Sequence, residues 1–191
     1  MKYREGIILG SACEAGELYQ AIISERSDSE IARIVDFYDY LEIQPTGNNA
    51  FMIESERVRM VNSVEDIENI NRKIVKLGEQ FNKLVVATCD VHFLDPEDEV
   101  YRRIIMAGKG FKDADDQAPL YLRTTEEMLA EFAYLGSEKA MEVVVTNTNK
   151  IADMIDTISP VRPDKCAPVI EDSDKTLTDI CYNKAKEMYG E

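Results

Sequence analysis

Leu84-Val85-Val86-Ala87-Thr88-Cys89, followed directly by Asp90-Val91-His92, is the stretch on which the fold turns. A short, apolar, largely β-branched run of this kind has the composition of a strand buried on both faces. Asp90 and His92 stand two apart at its carboxyl end, so a continuing strand points both side chains the same way. A carboxylate converging with the chain's only histidine makes half of a divalent-metal site. The alternative is a histidine satisfied by a neighbouring carboxylate.

On the amino-terminal side, Val64, Ile67, Ile70, Ile74, Leu77 and Phe81 recur every three or four residues, which predicts one long amphipathic helix from about Ser63 to Asn82. Before it lies a predicted strand, Tyr38 to Gln44, ended by Pro45, with Thr46-Gly47-Asn48-Asn49 as a turn. Earlier still, Gly6-Ile7-Ile8-Leu9-Gly10 reads as a short strand. Two helices follow it, one with Leu18, Ala21 and Ile22 on a face and one with Ile31, Ile34 and Val35. On the carboxyl side, Asp95-Pro96-Glu97-Asp98 is a helix start: an acidic cap, proline at the first position and acids in the first turn. Strand–helix alternation with apolar strands predicts parallel pairing and an α/β fold. Strands 6–10, 38–44 and 84–89 are expected in one sheet, with helix 63–82 over a face. Chemistry in such folds gathers at the carboxyl ends of the strands, where Cys13, Asp90 and His92 fall.

Beyond residue 112 the character changes. Lys112 to Gln117 is a polar loop, and Thr124-Thr125-Glu126-Glu127 is a capping box leading into Met128, Leu129, Phe132 and Leu135. A further helix is expected from about Ser137 to Ile158, although Val143-Val144-Val145-Thr146 favours strand. Pro160, Pro163 and Pro168 mark an irregular connector. A last helix, about Lys175 to Tyr189, is expected to turn Leu177, Ile180, Cys181 and Met188 inward.

Composition narrows the function classes. Of 191 residues, 45% are hydrophobic and 31% charged, which suits a soluble protein with a real core. No apolar run approaches the ~18 residues of a membrane span, and Met1 to Gly6 begins no signal peptide, so a cytoplasmic protein is expected. The four cysteines, Cys13, Cys89, Cys166 and Cys181, form no CxxC pair and read as reduced thiols. A net charge of −15 argues against a surface that grips nucleic acid. It suits a site that gathers divalent cations, or docking to a basic partner.

Cys13, in the turn Gly10-Ser11-Ala12-Cys13, is a third metal ligand if it ionises, or else a small buried cysteine. Glu42 lies among apolar neighbours and therefore needs a partner. It is a ligand, a base or a carboxylate supporting the ligands from behind, or it pairs with an arginine such as Arg33. Asp115-Asp116 and Glu126-Glu127 read as solvated loop and cap acids. A self-contained metallophosphoesterase needs several histidines, and this chain has one.

Three blocks resemble a known family in order. They are Arg4-Glu5-Gly6 through Gly10-Ser11-Ala12-Cys13-Glu14-Ala15-Gly16-Glu17-Leu18, then Leu41-Glu42-Ile43-Gln44-Pro45, then Val86-Ala87-Thr88-Cys89-Asp90-Val91-His92-Phe93-Leu94. They are similar to the later part of the PHP (polymerase and histidinol phosphatase) domain in PolC-type DNA polymerase III alpha subunits. The likeness continues through Arg123 to Leu129, Val145 to Asp153 and Tyr182 to Gly190.

The resemblance implies a partial, distorted (β/α)7 barrel followed by an α-helical connector. It divides the chain into the end of the PHP domain (1–112), the connector (113–165) and the start of the polymerase palm region (166–191). Asp90 and His92 then occupy the family's last metal-binding motif, and Cys13 a position held by histidine in related phosphatases. Cys89 stands where the family leads one to expect glycine. The implied cofactors are zinc, manganese or magnesium in the intact PHP domain, and magnesium for the polymerase. The implied partners are the rest of the polymerase chain, including an inserted 3′–5′ exonuclease and the palm, with DNA reached through the parent enzyme. No catalytic residue is expected in this chain, and it is expected to be inactive alone. The rival readings are a stand-alone PHP-type phosphoesterase and a non-catalytic scaffold with a degenerate metal site.

Overall fold

The computed structural model describes residues 3–55 and 58–190, and the chain divides into two units, Met1–Ile155 and Asp156–Glu191. The first unit is mixed α/β. Helices α1 (Glu17–Ile23) and α2 (Asp28–Phe37) lead to strand β1 (Tyr40–Ile43). A 3-10 segment (Thr46–Met52) and helix α3 (Val64–Phe81) lead to β2 (Leu84–Ala87). Next come α4 (Glu99–Gly108) and α5 (Thr125–Glu131). The unit closes with α6 (Ser137–Met141), a π-helical turn (Glu142–Thr146) and α7 (Asn147–Asp153).

Local sequence explains these boundaries. Ser27 caps α2 in a reciprocal pair with Glu30, and Thr124 caps α5 with Glu127 in the same way. Ser63 caps α3 by accepting from the Asp66 amide, and left-handed Asn82 ends it. The π turn coincides with Val143-Val144-Val145-Thr146. Branching at four successive Cβ atoms crowds an α-helical turn, and the Thr148 hydroxyl and Asn149 amide bond back to the Val144 and Val145 carbonyls. The helix expected to reach Ile158 ends at Asp153.

β1 and β2 pair in parallel, Tyr40 opposite Leu84 through Ile43 opposite Ala87. The expected third strand at 6–10 does not form: it reaches the sheet through one parallel bridge, Gly10 to Tyr40. Two features interrupt its ladder. The Asp39 carboxylate takes the Leu9 amide at 2.7 Å while also pairing with Arg4, and Ile7 is half exposed, leaving one face of the segment without cover. Gly10 is required at the bridge, because a Cβ there would fall 2.4 Å from the Tyr40 ring.

α3 lies against both strands and supplies the core with Ile67, Ile70, Ile74 and Val75, packed among Leu18, Ile22, Val35, Leu41 and Ile43. Val64, expected in that stripe, is exposed, and Asn71 and Gly78 are buried in it instead. Phe132 and Val143 belong to the same core, so the helices after residue 125 pack on the sheet's unit. Two wholly buried amides join them to it. Asn71 donates to the Gln44 carbonyl at 3.0 Å and to the Tyr134 hydroxyl at 2.8 Å, and Asn147 donates to the Val85 carbonyl at 2.9 Å.

In the second unit, α8 (Ser173–Tyr189) follows the proline-bearing connector. Leu177, Ile180, Cys181 and Met188 are exposed rather than inward, since this unit offers its helix no second layer. No helix among the described residues is long and apolar enough to cross a membrane.

Gly78 tests the close packing of α3 on the sheet. Helix propensity favours alanine over glycine by about 1 kcal/mol. A Cβ at 78, however, would stand 2.3 Å from Val85 Cγ2, and overpacking of that kind costs roughly 1–3 kcal/mol. Gly78→Ala should therefore lower the urea midpoint, and a raised midpoint would contradict this packing.

Candidate functional site

The carboxyl ends of β1 and β2 bring Glu42 and Thr88 together. Residue 42 alternates with buried Leu41 and Ile43, so its side chain leaves the core side that they occupy. It stays half-buried, and its Oε1 accepts from the Thr88 hydroxyl at 2.8 Å and from Gln44 Nε2 at 3.3 Å. These partners, rather than an arginine, answer its need for one. Burial pushes the Glu42 carboxyl above the usual range, and the nearby charges of Asp90 and Glu14 push the same way. The Thr88 and Gln44 hydrogen bonds oppose the shift. Behind it, the Ser11 hydroxyl accepts from the Glu42 amide at 3.0 Å and ties the first turn to β1.

Beyond β2 the chain turns sharply. Asp90 has φ +55°, a left-handed conformation that aspartate tolerates better than most residues. The left-handed position thus falls on Asp90 rather than on Cys89, where the family resemblance points to glycine. Cys89 is held from three sides. Its thiol donates to the Tyr121 carbonyl at 3.1 Å, Arg123 approaches its sulfur at 3.6 Å, and Asn48 donates to its carbonyl at 3.1 Å. Arg123 is buried against Glu131 at 3.3 Å and stacks on Tyr121 at 4.4 Å. Removing one member of such a set would leave an unpaired buried group.

Asp90 and His92 are brought together, half exposed. His92 Nδ1 lies 2.9 Å from the Asp90 carbonyl and 3.7 Å from its Oδ1, and the His92 amide is fixed to the Leu120 carbonyl at 2.8 Å. In the tautomer that donates Nδ1–H to that carbonyl, Nε2 is left as the free electron pair, the usual presentation of a ligating histidine. Cys13 sits in its turn with Gly16 bonded to its carbonyl, and burial pushes its thiol up, against ionisation.

No three His, Cys, Asp or Glu side chains among the described residues form a group able to hold a metal ion. A catalytic zinc takes three protein ligands, so these residues alone do not fit a complete metal site. The neutral residues that shape this end, Thr88, Gln44, Asn48 and Ser11, carry no sequence signal. Arg123 could have been suspected only from its place just before the capping box.

The Glu42 shift has a definite pH consequence. A carboxyl whose folded-state pKa is raised contributes stability below the unfolded value of about 4.3, and that contribution is lost as pH rises through the folded value. Glu42→Gln, which keeps an acceptor for Thr88, removes that loss. The stability of the variant relative to the native chain should be higher at about pH 7.5 than at about pH 4. Urea unfolding at both values checks it, and a difference independent of pH would contradict the buried carboxyl.

No family model matches the chain. DNA polymerase III PolC-type from Clostridium perfringens is 52% identical to it over 190 residues. The protein of the same name from Caldanaerobacter subterraneus subsp. tengcongensis is 56% identical over 191 residues, and that from Bacillus subtilis 42% over 193. Each match takes in 100% of this chain, which spans only 13% of the length of these curated relatives. From end to end, the chain matches one segment of the PolC-type DNA polymerase III.

Proposed function

We propose that this chain is a segment of a bacterial replicative DNA polymerase, the end of its PHP domain leading through a helical connector toward the palm. The observation that carries the reading is sequence identity of 52–56% to two PolC-type polymerases over the entire chain. The parallel β1–β2 pair with Asp90 and His92 just beyond it is compatible with one edge of a PHP barrel. In the whole enzyme, which acts as a DNA-directed DNA polymerase, magnesium held by palm carboxylates outside these residues supplies the nucleotidyl-transfer chemistry.

Within the segment, Asp90 and His92 offer two donors to a divalent-metal centre completed by other parts of the longer protein. Glu42 and Thr88 brace the same end of the sheet, and Cys13 contributes to the turn rather than as a thiolate. DNA contact falls to other parts of the enzyme, because a net charge of −15 repels phosphate. The segment thus serves as a structural piece that joins the exonuclease-bearing region to the polymerase core.

Primer extension is the test. With primer–template, nucleotides and Mg2+ or Mn2+, the 191-residue chain should neither extend nor shorten the primer, and a longer chain continuing through the palm should extend it. Extension by the short chain, abolished by His92→Ala, would overturn the assignment of catalysis to residues elsewhere. No extension by the longer, folded chain would overturn the polymerase reading itself.

A further inference from the structure

Helix α4 is assembled inside out. Val100, Tyr101, Ile104 and Ile105 share one face of it, the spacing of a core-facing stripe, yet none of its residues is buried. Tyr101, Ile104 and Ile105 are 59–64% exposed, and Leu94 and Phe111 at either end of the helix are 60% and 53% exposed. The polar side is the one held down. Arg102 bonds to Gln117, and Arg103 lies 3.8 Å from Asp115, both on the loop that follows the helix. The helix is therefore fixed by its charged side, with its apolar side outward. That arrangement opposes the burial that makes amphipathic helices pack, at about 25 cal/mol per Å² of apolar area. A contiguous apolar patch of this kind marks an interface.

We infer that this face of α4, with Leu94, is the docking surface for another part of the same polymerase polypeptide, outside these 191 residues. The inference rests on the polymerase-segment reading and adds which face makes the contact. Two observations select that occupant. The relatives match this chain completely while 13% of their own length is used, so most of each polypeptide lies outside the matched segment. The amino end of the patch also carries acids, Asp95 and Glu97 in the turn into α4 and Asp98 beside Tyr101 and Ile105 in the groove, which calls for a partner with an apolar centre and basic residues at that end. Because a groove beside α4 is lined by His92 and Phe93 as well as Tyr101 and Ile105, the covering segment also closes over one side of His92.

Amide hydrogen exchange on the 191-residue chain and on the longer polymerase, run beside primer extension, tests this. Peptides covering 99–108 should exchange about tenfold or more slowly in the longer protein, while those covering 137–153 stay alike in both. Ile104→Asp should cancel the added protection and leave the melting temperature of the 191-residue chain unchanged. Equal exchange at 99–108 in the two proteins would overturn the inference. So would protection in the short chain, which at rising concentration would mean a second copy on the patch and at high dilution the chain's own second unit. Primer extension without protection would strike the docking face alone, and protection without primer extension would strike the polymerase reading alone.

Discussion

A two-stranded sheet does not hold together in water by itself, so the parallel pairing of Tyr40–Ile43 with Leu84–Ala87 exists only because helices cover it. α3 is the connection between the two strands as well as their cover, the usual geometry of a parallel crossover. Its Ile67, Ile70 and Ile74 bury Leu41, Ile43 and Val85, and this contact fixes the register of the ladder. Register in turn sets the chemistry, because a slip by one residue would move Glu42 to the opposite face and separate it from Thr88.

Polar groups buried in this core make the arrangement specific. Asn71 on α3 grips both the end of β1 and Tyr134, and Asn147 reaches the Val85 carbonyl from α7. Burial pushes the Tyr134 hydroxyl up to about 12, so it stays protonated and neutral at physiological pH. Each of these amides joins a helix after residue 125 to the sheet formed before residue 88. The Asp90–His92 turn is held to the segment before α5, the His92 amide donating to the Leu120 carbonyl and the Cys89 thiol to the Tyr121 carbonyl. The position of His92 thus depends on elements far along the chain.

Much of the fold was legible because it is written in short-range rules. The stripe of α3, the cap at Thr124 and the β-branched run of β2 each follow from periodicity or a local hydrogen bond. The segment 6–10 departs from the strand its composition predicts because its run is short and an Asp39 side chain competes for its amide, a contact across thirty residues that no local pattern encodes. The inward stripe of α8 failed for a related reason: an apolar stripe shows which side seeks a partner, not whether one is present. In the site, Asp90 and His92 were found from their spacing beyond a strand. Glu42 was noticed as an oddity, but its partners Thr88 and Gln44 emerge only once the strands are paired. Beyond its place before the capping box, nothing local marks Arg123 as buried beside Cys89, since burial of an arginine is decided by Glu131 and Tyr121 on separate elements.

The parallel register of β1 and β2 carries the whole account, and interstrand nuclear Overhauser contacts in the isotopically labelled chain measure it directly. The account predicts a ladder that advances in one direction, with Tyr40 near Leu84, Leu41 near Val85 and Ile43 near Ala87. Contacts that run in opposite directions, Tyr40 with Ala87 and Ile43 with Leu84, or a register moved by one residue, would contradict it.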